Sequence, residues 1–121
     1  MLKTSAPLLA KSAQNRARRE DFGDTATWRY SSNQEAKRVL LVHGFRGDHH
    51  GLEAIAGALP DFEVLIPDLP GYGKTLPFSS EHNLENYGKW LVELYSRLPQ
   101  DTVVLGHSFG SLVVSKALEL G

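Results

Sequence analysis

The stretch that most restricts the fold of this chain is residues 101–121, DTVVLGHSFGSLVVSKALELG. Val103, Val104 and Leu105 form a short apolar run suited to a strand covered on both faces. From Phe109 onward, Val113, Lys116, Ala117 and Leu120 trace a helix, with Gly121 at its end. Between them lies Gly106-His107-Ser108-Phe109-Gly110, so a buried strand has to turn sharply into a helix around a serine. Glycines on either side of that serine allow the strand and helix to pack more closely than larger side chains would permit.

The rest of the chain supplies partners for such a unit. Residues 25–30 alternate, with Ala26, Trp28 and Tyr30 on one side, which predicts a half-buried outer strand. Val39 to Val42 is a continuous apolar run and predicts a buried strand that stops at His43-Gly44-Phe45-Arg46-Gly47-Asp48. Leu52, Ile55, Ala56 and Leu59 then fall at helical spacing before Pro60, and Val64 to Ile66 predicts another buried strand. Prolines and glycines between Pro67 and Pro77 make a long irregular connection. Leu84, Tyr87, Leu91, Leu94, Tyr95 and Leu98 mark one face of a longer helix closed by Pro99. Three buried strands alternating with three helices predict an α/β fold, an open and mostly parallel sheet with flanking helices.

Composition narrows the function classes. With five of the 13 bases in residues 1–19 and no acid there, the remainder holds 8 bases against 14 acids, a net −6 that argues against a nucleic-acid-binding face. Residues 1–21 are expected to be a basic, disordered tail, with an organelle transit peptide as the alternative, and residues 22–121 a single domain. No apolar run approaches the roughly 20 residues of a membrane span. The chain has no cysteine, which removes disulfides, thiolate metal sites and cysteine nucleophiles and is compatible with the cytoplasm.

Ligand-binding loops of open α/β sheets gather at the carboxyl ends of the strands, where both HGFRGD and GHSFG stand. With PDLPGYGKT between them, these segments resemble the α/β-hydrolase family over residues 22–121. The resemblance implies an amino-terminal, incomplete portion of that fold, with Ser108 as the catalytic nucleophile on a G-x-S-x-G elbow. It also implies that the backbone N–H groups of Phe45 and Phe109 form the oxyanion hole. A serine in this position otherwise caps a helix.

The five histidines do not furnish a base by sequence. His107 adjoins the serine on a strand and is expected on the opposite face, while His43 is expected to hydrogen-bond within its own loop. His49, His50 and His82 read as loop or helix-start residues, and the His49-His50 pair lacks a third ligand at a recognisable spacing, so neither metal nor cofactor is expected. Asp68 is expected to bond its own Pro-Gly turn rather than act as the catalytic acid. Gly71-Tyr72-Gly73-Lys74-Thr75 ends like a phosphate loop, but position 68 is aspartate where a Walker motif needs glycine.

In the family the acid and histidine follow the serine. Here they are expected beyond Gly121, which leaves the 121-residue chain inactive by itself and open to self-association through an unpaired strand. The reading is a serine hydrolase of a small-molecule ester or related acyl substrate, acting through an acyl-enzyme. The alternative is a non-catalytic binding or scaffold protein with a hydrolase-like fold. Esterase, lipase-like, amidase, aminopeptidase-like and carbon–carbon bond hydrolase chemistries stay open, whereas an aspartate nucleophile is excluded at position 108.

Overall fold

The three apolar runs become strands that lie side by side in a computed structural model describing residues 6–32, 36–44 and 47–121. Strands β3 (Arg38–Val42), β4 (Glu63–Pro67) and β5 (Val103–Gly106) each extend the expected run by one or two residues. β3 pairs in parallel with both others, matching Leu40 to Leu65 on one side and to Val104 on the other. Two antiparallel strands complete the sheet, β1 (Ala17–Arg19) and β2 (Thr27–Tyr30), in the order β1-β2-β4-β3-β5. The sheet is therefore mixed: β3 and β4 are the buried strands their apolar runs predicted, whereas β5, also expected to be covered on both faces, is the edge strand and is half exposed, because no strand or helix among the described residues covers its outer side.

Two expectations change at this edge. β2 is not the outermost strand, because β1 pairs with it from Ala17 opposite Tyr30 to Arg19 opposite Trp28. Disorder through residue 21 also fails for the described residues, since Ala6–Gln14 forms helix α1 and Ala17–Arg19 forms β1. The reason is close approach. A Cβ placed on Gly57 would meet the Leu9 carbonyl oxygen at 1.9 Å, so the α1 backbone rests where only glycine leaves room. Arg16 then uses its charge inward: Nη1 donates to the Ser31 carbonyl at 2.7 Å and Nη2 to the Ala56 carbonyl at 2.6 Å. A basic residue that saturates buried carbonyls is tethered rather than solvated.

Alternate residues of the strands feed two cores. Val39, Leu41, Val64 and Ile66 pack with Ala13, Tyr30, Leu52 and Ala56, on the face covered by α1 and by α2 (Glu53–Gly57), which follows a 3-10 turn at His49–Leu52. Leu40, Val42 and Leu65 pack with Tyr87, Leu91, Leu94 and Val113, under α3 (Leu84–Ser96) and α4 (Phe109–Leu120). Each fully buried leucine or valine stabilises the fold by roughly 1.5–3 kcal/mol relative to exposure. Asn83 caps α3 by accepting from the Asn86 N–H at 2.8 Å. Gly88 inside α3 offsets its helix cost by admitting α4, since a Cβ there would lie 2.8 Å from Lys116 Cγ.

The helical cover is uneven. Val104 of β5 packs into the α3/α4 core, while Val103 and Leu105, which share a face with Val39 and Leu41, remain 47% and 48% exposed. No helix among the described residues is long and apolar enough to cross a membrane.

Candidate active site

The turn from β5 into α4 takes the form its sequence predicts. Ser108 stands at φ 57° and ψ −124°, and among the described residues it is the one non-glycine with positive φ. Holding such a conformation costs on the order of 1–3 kcal/mol, which the surroundings must supply. They do so through a dense set of bonds: His107 N–H donates to the Val42 carbonyl at 3.0 Å, and Gly110 N–H to the His107 carbonyl at 2.9 Å. The Ser111 hydroxyl donates to the Ser108 carbonyl at 2.6 Å. A Cβ on Gly106 would sit 2.5 Å from the Gly110 oxygen, and one on Gly110 would sit 2.0 Å from the Val42 oxygen. Both glycines are thus fixed by backbone packing against the serine turn.

The helix-cap alternative for Ser108 does not describe this geometry, because its side chain makes no capping bond to α4. Instead the residue is exposed and its hydroxyl faces the end of β3. A Cβ on Gly44 would lie 3.0 Å from Ser108 Cβ and 3.3 Å from Ser108 Oγ. The loop that follows β3 and the serine turn that follows β5 therefore meet at one sheet edge. Phe45 falls outside the described residues, whereas Phe109 is the first residue of α4.

His43 holds the start of that loop, as expected. It is buried, its Nδ1–H donates to the Gly44 carbonyl at 2.8 Å, and its Nε2 accepts the Leu69 N–H at 3.0 Å. Burial lowers its pKa, so the ring is the neutral Nδ1–H tautomer. One imidazole thereby fastens the end of β3 to the turn after β4.

Asp68 fastens the turn further. Its buried carboxylate accepts from the His49 N–H at 2.7 Å, from His49 Nδ1 at 2.9 Å and from the Lys74 N–H at 2.9 Å. Burial would raise its pKa, but these donors more than offset that and the net direction is down. A Cβ on Gly73, where φ is +52°, would fall 2.1 Å from Asp68 Oδ2. The Gly-Tyr-Gly of this segment accordingly wraps a carboxylate, and the next helix starts only at Leu84, away from Lys74.

His49 and His50 need correction, since the sequence assigned them no particular geometry. His49 is buried and stacks on Trp28 at a 3.4 Å centroid distance and 6° interplanar angle. His50 Nδ1 bonds Glu53 Oε1 at 2.8 Å, and Glu53 in turn accepts from the Tyr30 hydroxyl at 2.7 Å and Gln14 Nε2 at 2.9 Å. The signal was present in the shared side of Trp28 and Tyr30, but Trp28 stacks on His49 and Tyr30 donates to Glu53, 23 residues on, so neither partner is a neighbour in sequence. His82 Nε2 accepts the Phe78 N–H, and His107 is exposed. Among the described residues, no histidine or carboxylate bonds the Ser108 hydroxyl.

Comparison with known proteins agrees with this geometry. The family described as Alpha/beta hydrolase family matches residues 39–120. Lipase 3 of a Moraxella species is 30% identical over 94 residues, covering 75% of this chain and 30% of the lipase. Lipase 1 of Psychrobacter immobilis is 31% identical over 94 residues, again 75% of this chain and 30% of that protein. An esterase of M. tuberculosis shares the fold, with a TM-score of 0.75 at 20% identity over 99% of this chain and 44% of its own. The matched stretch is thus about 30% of the length of the two lipases.

Proposed function

Since this chain belongs to the alpha/beta hydrolase family, we propose that it carries the nucleophile of a serine hydrolase that cleaves an ester or related acyl substrate through an acyl-enzyme. The observation that carries this reading is the strained, exposed Ser108 with its Oγ set against Gly44, at the meeting of two strand-end loops. Ser108 Oγ attacks the acyl carbon and loses its proton to a base; the carbonyl π pair moves to oxygen as the tetrahedral intermediate forms. Collapse expels the alcohol, which takes a proton from the base, and water then releases the acid.

The Phe109 N–H, at the start of α4, is directed by its position to the partial positive end of a helix, where a developing oxyanion is favoured. Phe45, after His43-Gly44, is the second proposed donor by family resemblance. We assign the base and its supporting acid to residues other than those described, because none of the described histidines or carboxylates bonds the Ser108 hydroxyl and the matched stretch is about 30% of the length of the two lipases. The names of the lipases favour an ester as the substrate class. We place the protein in the cytoplasm, with which a cysteine-free chain is compatible.

One observation favours a second reading, a binding or scaffold protein: no general base faces Ser108 among the described residues. Hydrolysis of p-nitrophenyl acyl esters by the protein of the full reading frame that contains this chain separates the two. Turnover with an initial burst of p-nitrophenol, lost by at least 100-fold in Ser108→Ala, is the expected result. Equal rates for the two proteins contradict the enzyme reading.

A further inference from the structure

We propose that Asp48, His49 and His50 bind a single divalent cation of the borderline class, with Zn2+ as the type. One ligand-capable atom from each lies within 4.8 Å of those of the other two, at the start of the 3-10 turn His49–Leu52. The third ligand that sequence spacing failed to supply is the residue immediately before the histidine pair.

The arrangement behind the histidines is what distinguishes this cluster from a chance gathering. Each uses Nδ1 against a carboxylate, His49 to Asp68 Oδ1 at 2.9 Å and His50 to Glu53 Oε1 at 2.8 Å. Such a bond fixes the Nδ1–H tautomer and leaves the Nε2 lone pair for a ligand, as in carboxylate–histidine–metal sites. Both carboxylates are themselves anchored, Asp68 by the His49 and Lys74 N–H groups and Glu53 by Tyr30 and Gln14. Trp28, stacked on His49, holds that ring in plane, and the two imidazoles lie 4.0 Å apart, tilted by 37°.

Nε2 of His49 also remains within reach. It has no hydrogen-bond partner among the described residues, yet the one buried side-chain nitrogen or oxygen lacking a partner there is Thr102 Oγ1. His49 Nε2 therefore keeps a small contact with solvent although the side chain is only 6% exposed. His50 is largely exposed while its Nδ1 stays bonded to Glu53, and Asp48 is half-buried and holds the turn by accepting the His50 N–H at 2.9 Å. Metal–nitrogen and metal–oxygen bonds of about 2.0–2.2 Å need the ligands roughly 3.3 Å apart. From a spacing of 4.8 Å or less, closure needs only modest movement of His50 and Asp48. Three protein ligands leave a further position for water, and the cation would clamp the end of the 43–48 loop to the Asp68 turn.

Titration of the full-frame protein with ZnCl2 alone, in a non-chelating buffer, tests the site by calorimetry. One Zn2+ per chain with micromolar affinity is expected, weakened at least 10-fold in His50→Ala and unchanged in His107→Ala, an exposed histidine outside the cluster. In wild-type protein, Zn2+ should move the ring resonances of His49 and His50 first, a readout independent of whether the variant folds. No binding, equal binding by wild type and His50→Ala, loss in His107→Ala, or first shifts at other histidines would each overturn the proposal.

Discussion

Ser108 and His43 show how single side chains set this site. The serine is strained because the Val42, His107 and Gly110 backbones leave no relaxed path from strand to helix. His43 works in the opposite way, through neutrality: it needs one donor and one acceptor, and protonation would put a proton on the nitrogen that accepts the Leu69 N–H. With a pKa lowered by burial, it contributes stability that is present above about pH 6.5 and lost as pH falls toward its folded value. His50 has the reverse sign. Its pKa is raised by the Glu53 hydrogen bond, so its contribution is full below about pH 6.5 and is lost as pH rises through the folded value. An NMR pH titration should therefore give His43 a midpoint below that of free histidine and His50 one above it; the reverse order would contradict both assignments. At this scale the sequence was informative where the cause is local. The glycines around Ser108 announce their own turn, whereas His49 takes its role from Trp28 and Asp68, each about 20 residues distant along the chain, and nothing in its neighbours encodes that.

Among the elements, β3 and β4 were legible because a strand buried on both faces has to be apolar throughout, as Val39 to Val42 is, while the equally apolar run of β5 gave its position as a strand but not its half-exposed edge. Helix α1 and strand β1 were not. Ala17-Arg18-Arg19 has no apolar alternation to betray a strand, and α1 docks through the Leu9 backbone against Gly57, which charge and hydropathy patterns do not register. What ties them down is Arg16, shared among carbonyls of β2, the following loop and α2. Arg16→Ala is expected to lower unfolding stability by about 1.5–3 kcal/mol, the range for hydrogen bonds involving a charged group. Urea denaturation of the variant checks it, and a change within a few tenths of a kcal/mol would return residues 6–19 to the status of a solvated tail.

The whole molecule is lopsided. One sheet face is covered by α1 and α2 only as far as β3, leaving Val103 and Leu105 of β5 half exposed. On the other face an apolar groove of 370 Å³ runs between α3 and α4, lined by Leu91, Val104, Val114 and Leu118 among others. An edge strand with unpaired backbone groups and apolar side chains invites pairing. We expect the 121-residue chain, expressed alone, to self-associate, and Val103→Lys with Leu105→Lys to reduce that; a sharp monomeric peak in light scattering with cooperative melting would contradict it. The elbow, by contrast, is complete within these residues, and its claim to be a nucleophile is open to direct chemical test. The most direct measurement is labelling of the full-frame protein with a fluorophosphonate, followed by tandem mass spectrometry of the peptide that spans Gly106 to Gly110. Phosphonylation at Ser108, abolished by Ser108→Ala, is the predicted result, and a folded protein that leaves Ser108 unmodified would contradict the account.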